Sequence, residues 1–305
     1  MSELGLGSTS IKQSTKRDGV ARAWDDIGGL IGHWDFSDAS TMYTTTGGAT
    51  NVSSDGDNIG RITNKVTTGG QLGTALLGSG YPLYKTGGTN SKTYGLFDDD
   101  ILRCAYNAGN VDTNVTSTSD WSYTGTTFFF VIDPDAATYT SDKILWKLWG
   151  RDYINYPSGV GFEDQSVGFG LEADDDEMRV TTYDGSAPGV SHDTGIDNAT
   201  GAQLWTFGYK QTGNLATAGI LYKDGVSGSS YTVDLSGETF YSTSTVELSN
   251  QGGAFSIGHD INTVGLPIGN HWNGKVYEVL IYNIDMSPTD RTLVEAHLKT
   301  KYGIS

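Results

Sequence analysis

Short apolar runs separated by stretches of glycine and small polar residues recur along most of the chain, and this alternation constrains the fold more than any other feature. Residues 126–132 (TTFFFVI) and 275–282 (KVYEVLIY) are two such runs. Apolar runs bounded by turn residues are typical of β-strands. The chain also has 42 Gly, 17 Tyr, 10 Phe and 7 Trp, which suits many turns and an aromatic core. We therefore predict an all-β, two-sheet antiparallel sandwich.

One helix is predicted near the end of the chain. Ser287 is placed as its N-cap, Pro288 occupies the first helical position and Asp290 sits where a capping box needs an acidic residue. Gly303 is the expected C-cap. The apolar face consists of Leu293, Val294, His297 and Leu298. We expect this short helix to pack on the outside of the sandwich, after the last strand.

The charge, the length of the apolar runs and the cysteine content together exclude several classes of protein. A formal net charge of −17 argues against nucleic-acid binding, which needs a basic surface. No run of apolar residues is long enough to span a membrane, and residues 1–28 lack the apolar segment of an export signal. The single cysteine, Cys104, allows no intrachain disulfide. We therefore expect no membrane association and no export signal.

Residues 1–28 lack the periodicity of a helix or a strand and are interpreted as an extended N-terminal arm, with the globular domain at 29–305. Between Ser10 and Ala23 the chain has four basic side chains and one acidic side chain. This basic segment, with two apolar residues, is predicted to anchor the arm to an acidic partner. The anchoring residues are Ile11, Lys12, Lys16, Arg17, Val20 and Arg22. The alternative is a solvated, frayed terminus.

Five sequence segments together form a distinctive pattern. They are FFFVIDP, LWTFGYK, LYKDGVSG, SIGHD and the closing run WNGKVYEVLIYNIDMSPTDRTLVEAHLKTKYG. This pattern resembles the concanavalin A-like lectin/glucanase family, and specifically its laminin-G-like branch. The resemblance covers about residues 29–305. It implies a jelly roll whose first and last strands pair.

The combination of an arm and such a domain also resembles structural proteins of tailed bacteriophages. That resemblance implies a non-enzymatic virion protein, either a capsid decoration or a tail or fibre appendage, made in the host cytoplasm and displayed on the virion surface as a homo-oligomer. Its partners would be other virion proteins and surface polysaccharide. A free carbohydrate-binding lectin is one alternative, and a β-glucan hydrolase is another.

The hydrolase alternative depends on the sequence GLEADDDEMRV. Glu172, Asp174 and Glu177 have the E-x-D-x-x-E spacing that glucanases of this family carry on one strand. In those enzymes the intervening residues are mostly apolar, whereas here five of the six positions from 172 to 177 are carboxylates. Like charges at adjacent positions are unsuited to a core strand. We predict a solvated hairpin tip and no catalytic residues.

Three groups of aspartates are candidate Ca²⁺ ligands, because Ca²⁺ prefers several oxygen ligands and laminin-G-like domains often bind it through loop aspartates. The candidates are Asp98, Asp99, Asp100, Asp174, Asp175, Asp176 and Asp260. None of them follows a defined ligand spacing, and no cofactor is expected to be required.

Histidines and exposed aromatic residues complete the set of candidates. The five histidines follow no metal-binding or catalytic-triad spacing and are interpreted as packing or surface residues. Aromatic side chains that could stack on sugar rings are Tyr81, Tyr84, Tyr153, Tyr156 and Trp272. The alternative for each of these is an ordinary core or loop contact.

Overall fold

A computed structural model of the chain describes residues 23–66, 75–105, 121–122, 125–141, 143–151, 166–183, 190–212, 216–234, 245–246, 254–261 and 267–305. Two large antiparallel sheets face each other across a shared core. The structure therefore confirms the prediction of an all-β, two-sheet sandwich of the jelly-roll kind, and one α-helix accompanies the strands in the described ranges.

The first sheet has eight strands. In order across the sheet they are β16 (Val226–Asp234), β15 (Ala216–Lys223), β14 (Gln203–Thr212), β9 (Thr126–Pro134), β21 (Gly274–Tyr282), β6 (Tyr94–Phe97) and β5 (Leu83–Lys85), with β1 (Leu30–Asp35) paired to β21. Eight of the nine residues of β9 are buried, which explains its nearly continuous apolar sequence. The pairing of β1 with β21 confirms that the first and last strands are neighbours.

The second sheet has nine strands. They are β13 (Val190–His192), β12 (Glu177–Tyr183), β11 (Ser166–Asp174), β10 (Lys143–Arg151), β18 (Ala254–Ile257), β7 (Ile101–Ala105), β4 (Ala75–Ser79), β3 (Arg61–Thr63) and β2 (Met42–Tyr43). Because β18 lies between β10 and β7, the chain that leaves β18 emerges beside the beginnings of both neighbours.

Short elements connect the strands of the two sheets. Two small sheets pair β8 (Trp121–Ser122) with β17 (Thr245–Val246) and β19 (Asp260–Ile261) with β20 (Pro267–Gly269). Single 3₁₀ turns occur at Trp24–Asp26, Ala39–Thr41 and Thr89–Ser91.

Aromatic side chains fill the space between the sheets. Trp146 of the second sheet packs on Phe128 and Phe130 of the first, with ring centroids 4.7 and 5.4 Å apart. Trp34 stacks on Phe255 at 5.0 Å. All five of these side chains are at most 1% exposed. Aromatic pairs at such distances contribute about 0.5–1.5 kcal/mol each beyond the area that they bury.

The C-terminal helix, α1 (Pro288–Tyr302), covers the outer face of the first sheet. Ser287 Oγ accepts a hydrogen bond from the Asp290 N–H at 3.2 Å, and Gly303 adopts the left-handed conformation at the other end, so both predicted caps are confirmed. Val294 and Leu298 are buried against outward-facing residues of β9 and β21, as expected. No helix in the described ranges has the length and apolarity to cross a bilayer.

Residues that precede β1 also contact this outer face. The Trp24 ring stacks on His297 of α1 with centroids 4.4 Å apart, and Ile27 is buried in the same hydrophobic cluster as the helix. The last residues of the predicted arm therefore pack on the sandwich, whereas residues 1–22 lie outside the described ranges. A division of the chain near residue 28 stays a prediction.

Candidate functional site

One end of the second sheet brings together turns that are far apart in the sequence. Ile257, the last residue of β18, pairs with Leu102 of β7 and with Trp146 of β10. The Asp98–Asp100 turn, which precedes β7, and His259, which follows β18, therefore lie side by side. We call this region the acidic end of the sandwich.

Gly258 permits the close approach of these two turns. Its φ is +91°, which favours glycine. A Cβ atom at this position would lie 2.5 Å from the carbonyl oxygen of Asp100, so a larger residue would push the turns apart. The backbone N–H of Gly258 donates to Leu145 O at 2.7 Å and fixes the same segment to β10. The conformation and contacts of Gly258 therefore fix the position of His259, the next residue.

A third segment approaches from the chain before β21. The N–H of Trp272 donates to Gly258 O at 2.9 Å, and His271 forms a parallel bridge with Ile144 at the start of β10. The Trp272 side chain is completely buried and anchors the segment. His271 is consequently held next to His259, with ring centroids 5.8 Å apart.

Asp99 meets both histidines. Its Oδ1 atom lies 2.9 Å from Nδ1 of His271 and 3.7 Å from Nε2 of His259. The His259 and His271 side chains are 11% and 33% exposed, whereas that of Asp99 is 65% exposed, so the cluster opens to solvent on the aspartate side. We call these three residues the open cluster. Two imidazoles and a carboxylate are a set that transition metals accept.

Hydrogen bonds hold the aspartate turn in place. The Asp99 N–H donates to Asn273 Oδ1 at 3.2 Å, and the amide of Asn273 donates to Asp98 Oδ1 at 3.3 Å.

Burial raises the pKa of Asp100, and the charges of Asp98 and Asp99 raise it further, against the lowering effect of the hydrogen bond from the Asp98 N–H. The exposed carboxylates of Asp98 and Asp99 therefore make ionisation of Asp100 less favourable.

Tyr81 lies next to this turn. Its side chain is 40% exposed, and its backbone φ of +74° is rare for an aromatic residue. The preceding Gly80 touches the turn, because a Cβ there would lie 2.9 Å from Asp100 Oδ1. The structure thus presents a partly exposed aromatic residue whose neighbour in the chain, Gly80, touches the aspartate turn.

The other candidates for sugar stacking have different outcomes. Tyr84 and Trp272 are 7% and 0% exposed, so the interpretation of these two as surface stacking residues is wrong. Tyr84 packs in the core between the sheets, and Trp272 anchors the segment beside His271. Tyr153 and Tyr156 lie outside the described residues.

The acidic sequence 172–177 forms a hairpin, as predicted. Glu172 and Asp174 are on β11, Glu177 is on β12, and Asp174 pairs with Glu177 across an exposed turn of Asp175 and Asp176. The three carboxylates of the E-x-D-x-x-E pattern are therefore split between two strands. This arrangement lacks the single-strand geometry on which the hydrolase alternative depends.

The hairpin lies at the same end of the second sheet as the open cluster. Ala173 pairs with Lys143, and the next residue of β10, Ile144, bridges to His271. Asp260 begins β19 directly after His259. The aspartates predicted as Ca²⁺ ligands therefore share one end of the sandwich, and Ca²⁺ binding by them stays a prediction.

The predicted anchoring residues of the arm all lie outside the described ranges.

A second cluster of titratable side chains lies buried under α1. His33 Nε2 is 2.7 Å from Glu278 Oε1, and the Tyr302 hydroxyl donates to Glu278 Oε2 at 2.8 Å. Lys301 Nζ donates to Glu278 at 2.7 Å and to Asp35 at 2.9 Å. Lys65 pairs with Asp35 at 3.2 Å. We call His33, Asp35, Glu278 and these partners the buried cluster.

The pKa shifts in the buried cluster agree with its pairing. Burial by itself raises the pKa of Asp35, but the charge of Lys301, hydrogen bonds from Ser37 and Lys301 and the charge of Lys65 outweigh it and lower the pKa to about 2. Burial likewise opposes ionisation of Glu278, whose pKa is nevertheless lowered by the hydrogen bond from His33 and the charge of Lys301. Both carboxylates are held ionised by cations of the chain itself, which marks this cluster as structural.

Comparisons with known proteins add little to this geometry. No family model and no curated protein matches the chain. Among solved structures, a SAP-like pentraxin from Limulus polyphemus is 11% identical, with 57% of this chain and 70% of that chain covered and a TM-score of 0.38. A sialidase from Trypanosoma rangeli is 13% identical (95% of this chain, 35% of that chain, TM-score 0.45). A CBM40 domain of a Ruminococcus gnavus IT-sialidase is 14% identical (57% and 82%, TM-score 0.36). This chain spans about a third of the Trypanosoma sialidase, and values this low decide nothing about function.

The open cluster is not evident from the sequence. The acidic neighbours of Asp99 indicate a candidate ligand, but the spacing of His259 and His271 matches no motif and predicts packing or surface residues. The SIGHD segment places His259 directly after a strand, and His271 precedes the long strand β21. Only the pairing of β18 with β7 and β10 brings these strand ends together.

Proposed function

We propose that this chain is a non-enzymatic binding protein whose acidic end recognises neutral polysaccharide. The observation that carries the proposal is Tyr81, which is partly exposed and held at positive φ beside the Asp98–Asp100 turn. Unfavourable backbone conformations persist where the surroundings enforce them, and they concentrate at binding sites. An aromatic face next to carboxylates offers a sugar both stacking and hydrogen-bond acceptors.

The charge of this end favours a neutral polymer. Asp98, Asp99, Asp175 and Asp176 are all exposed there, and the whole chain has a net charge of −17. An anionic polysaccharide would be repelled at low salt, whereas a neutral one would not. Ionised carboxylates accept hydrogen bonds from hydroxyl groups, which neutral sugars supply in number.

The split of Glu172 and Glu177 between two strands supports a binding role over hydrolysis. A retaining glycosidase needs two carboxyl groups about 5 Å apart on a rigid frame. We expect the protein to release no reducing ends from any polysaccharide that it binds, and Glu172→Gln to leave that background unchanged.

We also propose that residues 1–22 anchor the domain to a larger assembly, a phage virion, where many copies are displayed. The support is the basic segment between Ser10 and Ala23 in a chain that is otherwise acidic. A weak sugar contact per domain becomes strong when copies engage one polymer together. A deletion should end at Arg22, because Trp24 and Ile27 pack on the domain. The truncated chain should fold but leave the particles; normal occupancy would contradict the anchor.

The glycan proposal is tested by retention of the full chain on a panel of immobilised neutral and acidic polysaccharides. We expect a neutral polymer to retain the wild type and Tyr81→Ala to bind about tenfold more weakly, as for loss of one aromatic stacking contact. Val226→Ala is the control, since Val226 is the other large apolar residue exposed among the described ones. Absence of retention, or equal retention of the wild type and Tyr81→Ala, would overturn the proposal.

A further inference from the structure

We propose that Asp99, His259 and His271, the open cluster, bind a first-row transition-metal ion such as Zn²⁺. The inference concerns these three side chains and does not require that the protein bind polysaccharide. It also differs from the Ca²⁺ expectation, because Ca²⁺ takes oxygen ligands, whereas imidazole nitrogen suits zinc, copper, nickel and iron.

The distances fit a shared ion. The ligand atoms of the three residues all lie within 4.8 Å of one another, and Asp99 Oδ1 is 2.9 Å from His271 Nδ1. In a tetrahedral zinc site with bonds of about 2.0–2.1 Å, neighbouring ligand atoms are about 3.4 Å apart. The two separations from Asp99 Oδ1, 2.9 and 3.7 Å, lie on both sides of this value, and the remaining separation is within 4.8 Å, so small movements of the side chains would bring the three atoms onto one ion.

The ligands come from three backbone segments that are fixed to one another and to the sheet. Gly258 locks the chain before His259, the buried Trp272 anchors the chain after His271, and Asn273 holds the Asp99 backbone at 3.2 Å. Ligands that are positioned before the metal arrives lose little conformational entropy on binding. The cluster is in this sense preorganised.

The exposure of the three side chains indicates an open site. His259 is almost buried, whereas the Asp99 side chain is 65% exposed. Three protein ligands leave at least one coordination position for water or an added ligand, and this position faces solvent on the aspartate side. A simple ion pair with Asp99 would need one histidine, and here the ring nitrogens of two histidines approach the same Oδ1 atom.

The experiment uses the full chain stripped of metal, with Zn²⁺ titrated by calorimetry and Co²⁺ followed by its visible absorption. We expect saturation at one ion per chain and a Co²⁺ spectrum with nitrogen ligands. His259→Gln, His271→Gln and Asp99→Asn should each weaken binding by at least about tenfold. The matched control is His192→Gln on β13, which should bind as the wild type does.

Several outcomes would overturn the site. These are an absence of saturable binding, equal affinity in the wild type and all three cluster variants, or the same loss in His192→Gln. Displacement of Zn²⁺ by an equal concentration of Ca²⁺ would also contradict a nitrogen-ligated ion. Thermal unfolding without metal checks that each variant is folded. Because no polysaccharide is present, failure here leaves the glycan proposal standing, and failure of polysaccharide retention leaves the metal site standing.

Discussion

The buried cluster and the open cluster both combine histidine with carboxylate side chains. They differ because lysines of the chain neutralise the carboxylates of the buried cluster, whereas the open cluster contains no lysine. In the buried cluster, Asp35 and Glu278 are paired with Lys65 and Lys301, and the Tyr302 hydroxyl donates to Glu278. In the open cluster, Asp99 Oδ1 lies 2.9 and 3.7 Å from ring nitrogens of His271 and His259, and the carboxylate faces solvent.

This difference separates a structural role from a binding role. A buried carboxylate without a partner is very unfavourable, so the cations of the buried cluster are needed for the fold itself. The Asp99 side chain of the open cluster is 65% exposed, so we expect its loss to cost little, and it is accessible to a ligand. Substitutions made in parallel in the two clusters test this difference.

The largest effect is expected from Glu278→Gln. The Glu278 side chain is 1% exposed and contacts His33, Lys301 and Tyr302. Removal of one partner of a buried ion pair costs about 3–5 kcal/mol, so we expect the free energy of unfolding in urea to fall by about 3 kcal/mol. Asp99→Asn is the matched change in the open cluster and should cost less than about 0.5 kcal/mol without metal. Equal losses would remove the distinction between the clusters.

Added Zn²⁺ should stabilise the folded protein through the open cluster and not through the buried cluster. At a free concentration about 100 times the dissociation constant, an ion bound only by the folded state raises the free energy of unfolding by about 2.7 kcal/mol. We expect this gain in the wild type and its absence in His271→Gln. His33→Gln, in the buried cluster, should be less stable than the wild type but keep the gain. A gain that disappears in His33→Gln would place the ion in the wrong cluster.

Acid should weaken the buried cluster in a defined pH range. The pKa of Asp35 is about 2 in the folded protein and 3.8 ordinarily, so its contribution is complete only above about pH 5 and is lost progressively as the pH falls toward 2. The shift corresponds to about 2 kcal/mol. The stability difference between the wild type and Asp35→Asn should therefore shrink by about 2 kcal/mol between pH 5 and pH 2, measured by urea unfolding. A constant difference would mean that Asp35 is not held ionised by Lys301.

The fold could be predicted from the sequence where local patterns decide the structure. The Ser287 and Gly303 caps define α1 by their own chemistry, and the run from Thr126 to Ile132 is apolar enough that only a strand covered on both faces suits it. The sequence predicts that Glu278 lies in a strand but does not indicate its ion pair, because the partner, Lys301, comes from the helix.

The sites could be predicted only in part, because they depend on the register between distant strands. The pairing of β18 with β7 and β10 brings Asp99, His259 and His271 together. The spacing of these residues in the sequence does not indicate that pairing. Tyr81 and Tyr84 are three residues apart in similar surroundings, yet one is exposed and the other is buried between the sheets. The direction of burial is set by the partner sheet and not by the local sequence.

The smallest effect on stability is expected at Tyr81, in the acidic end, and it contrasts with the effect expected at the buried Tyr84. Tyr81→Gly removes part of a side-chain contact but relieves the φ of +74°, a strain of about 1–3 kcal/mol, so the two effects nearly cancel. We expect the free energy of unfolding to change by about 1 kcal/mol or less. Tyr84→Ala, at 7% exposure, should instead lose about 3 kcal/mol, because it leaves a cavity between the sheets. If urea unfolding shows equal losses for the two, Tyr81 is a packing residue and the acidic end has no aromatic platform to offer a sugar.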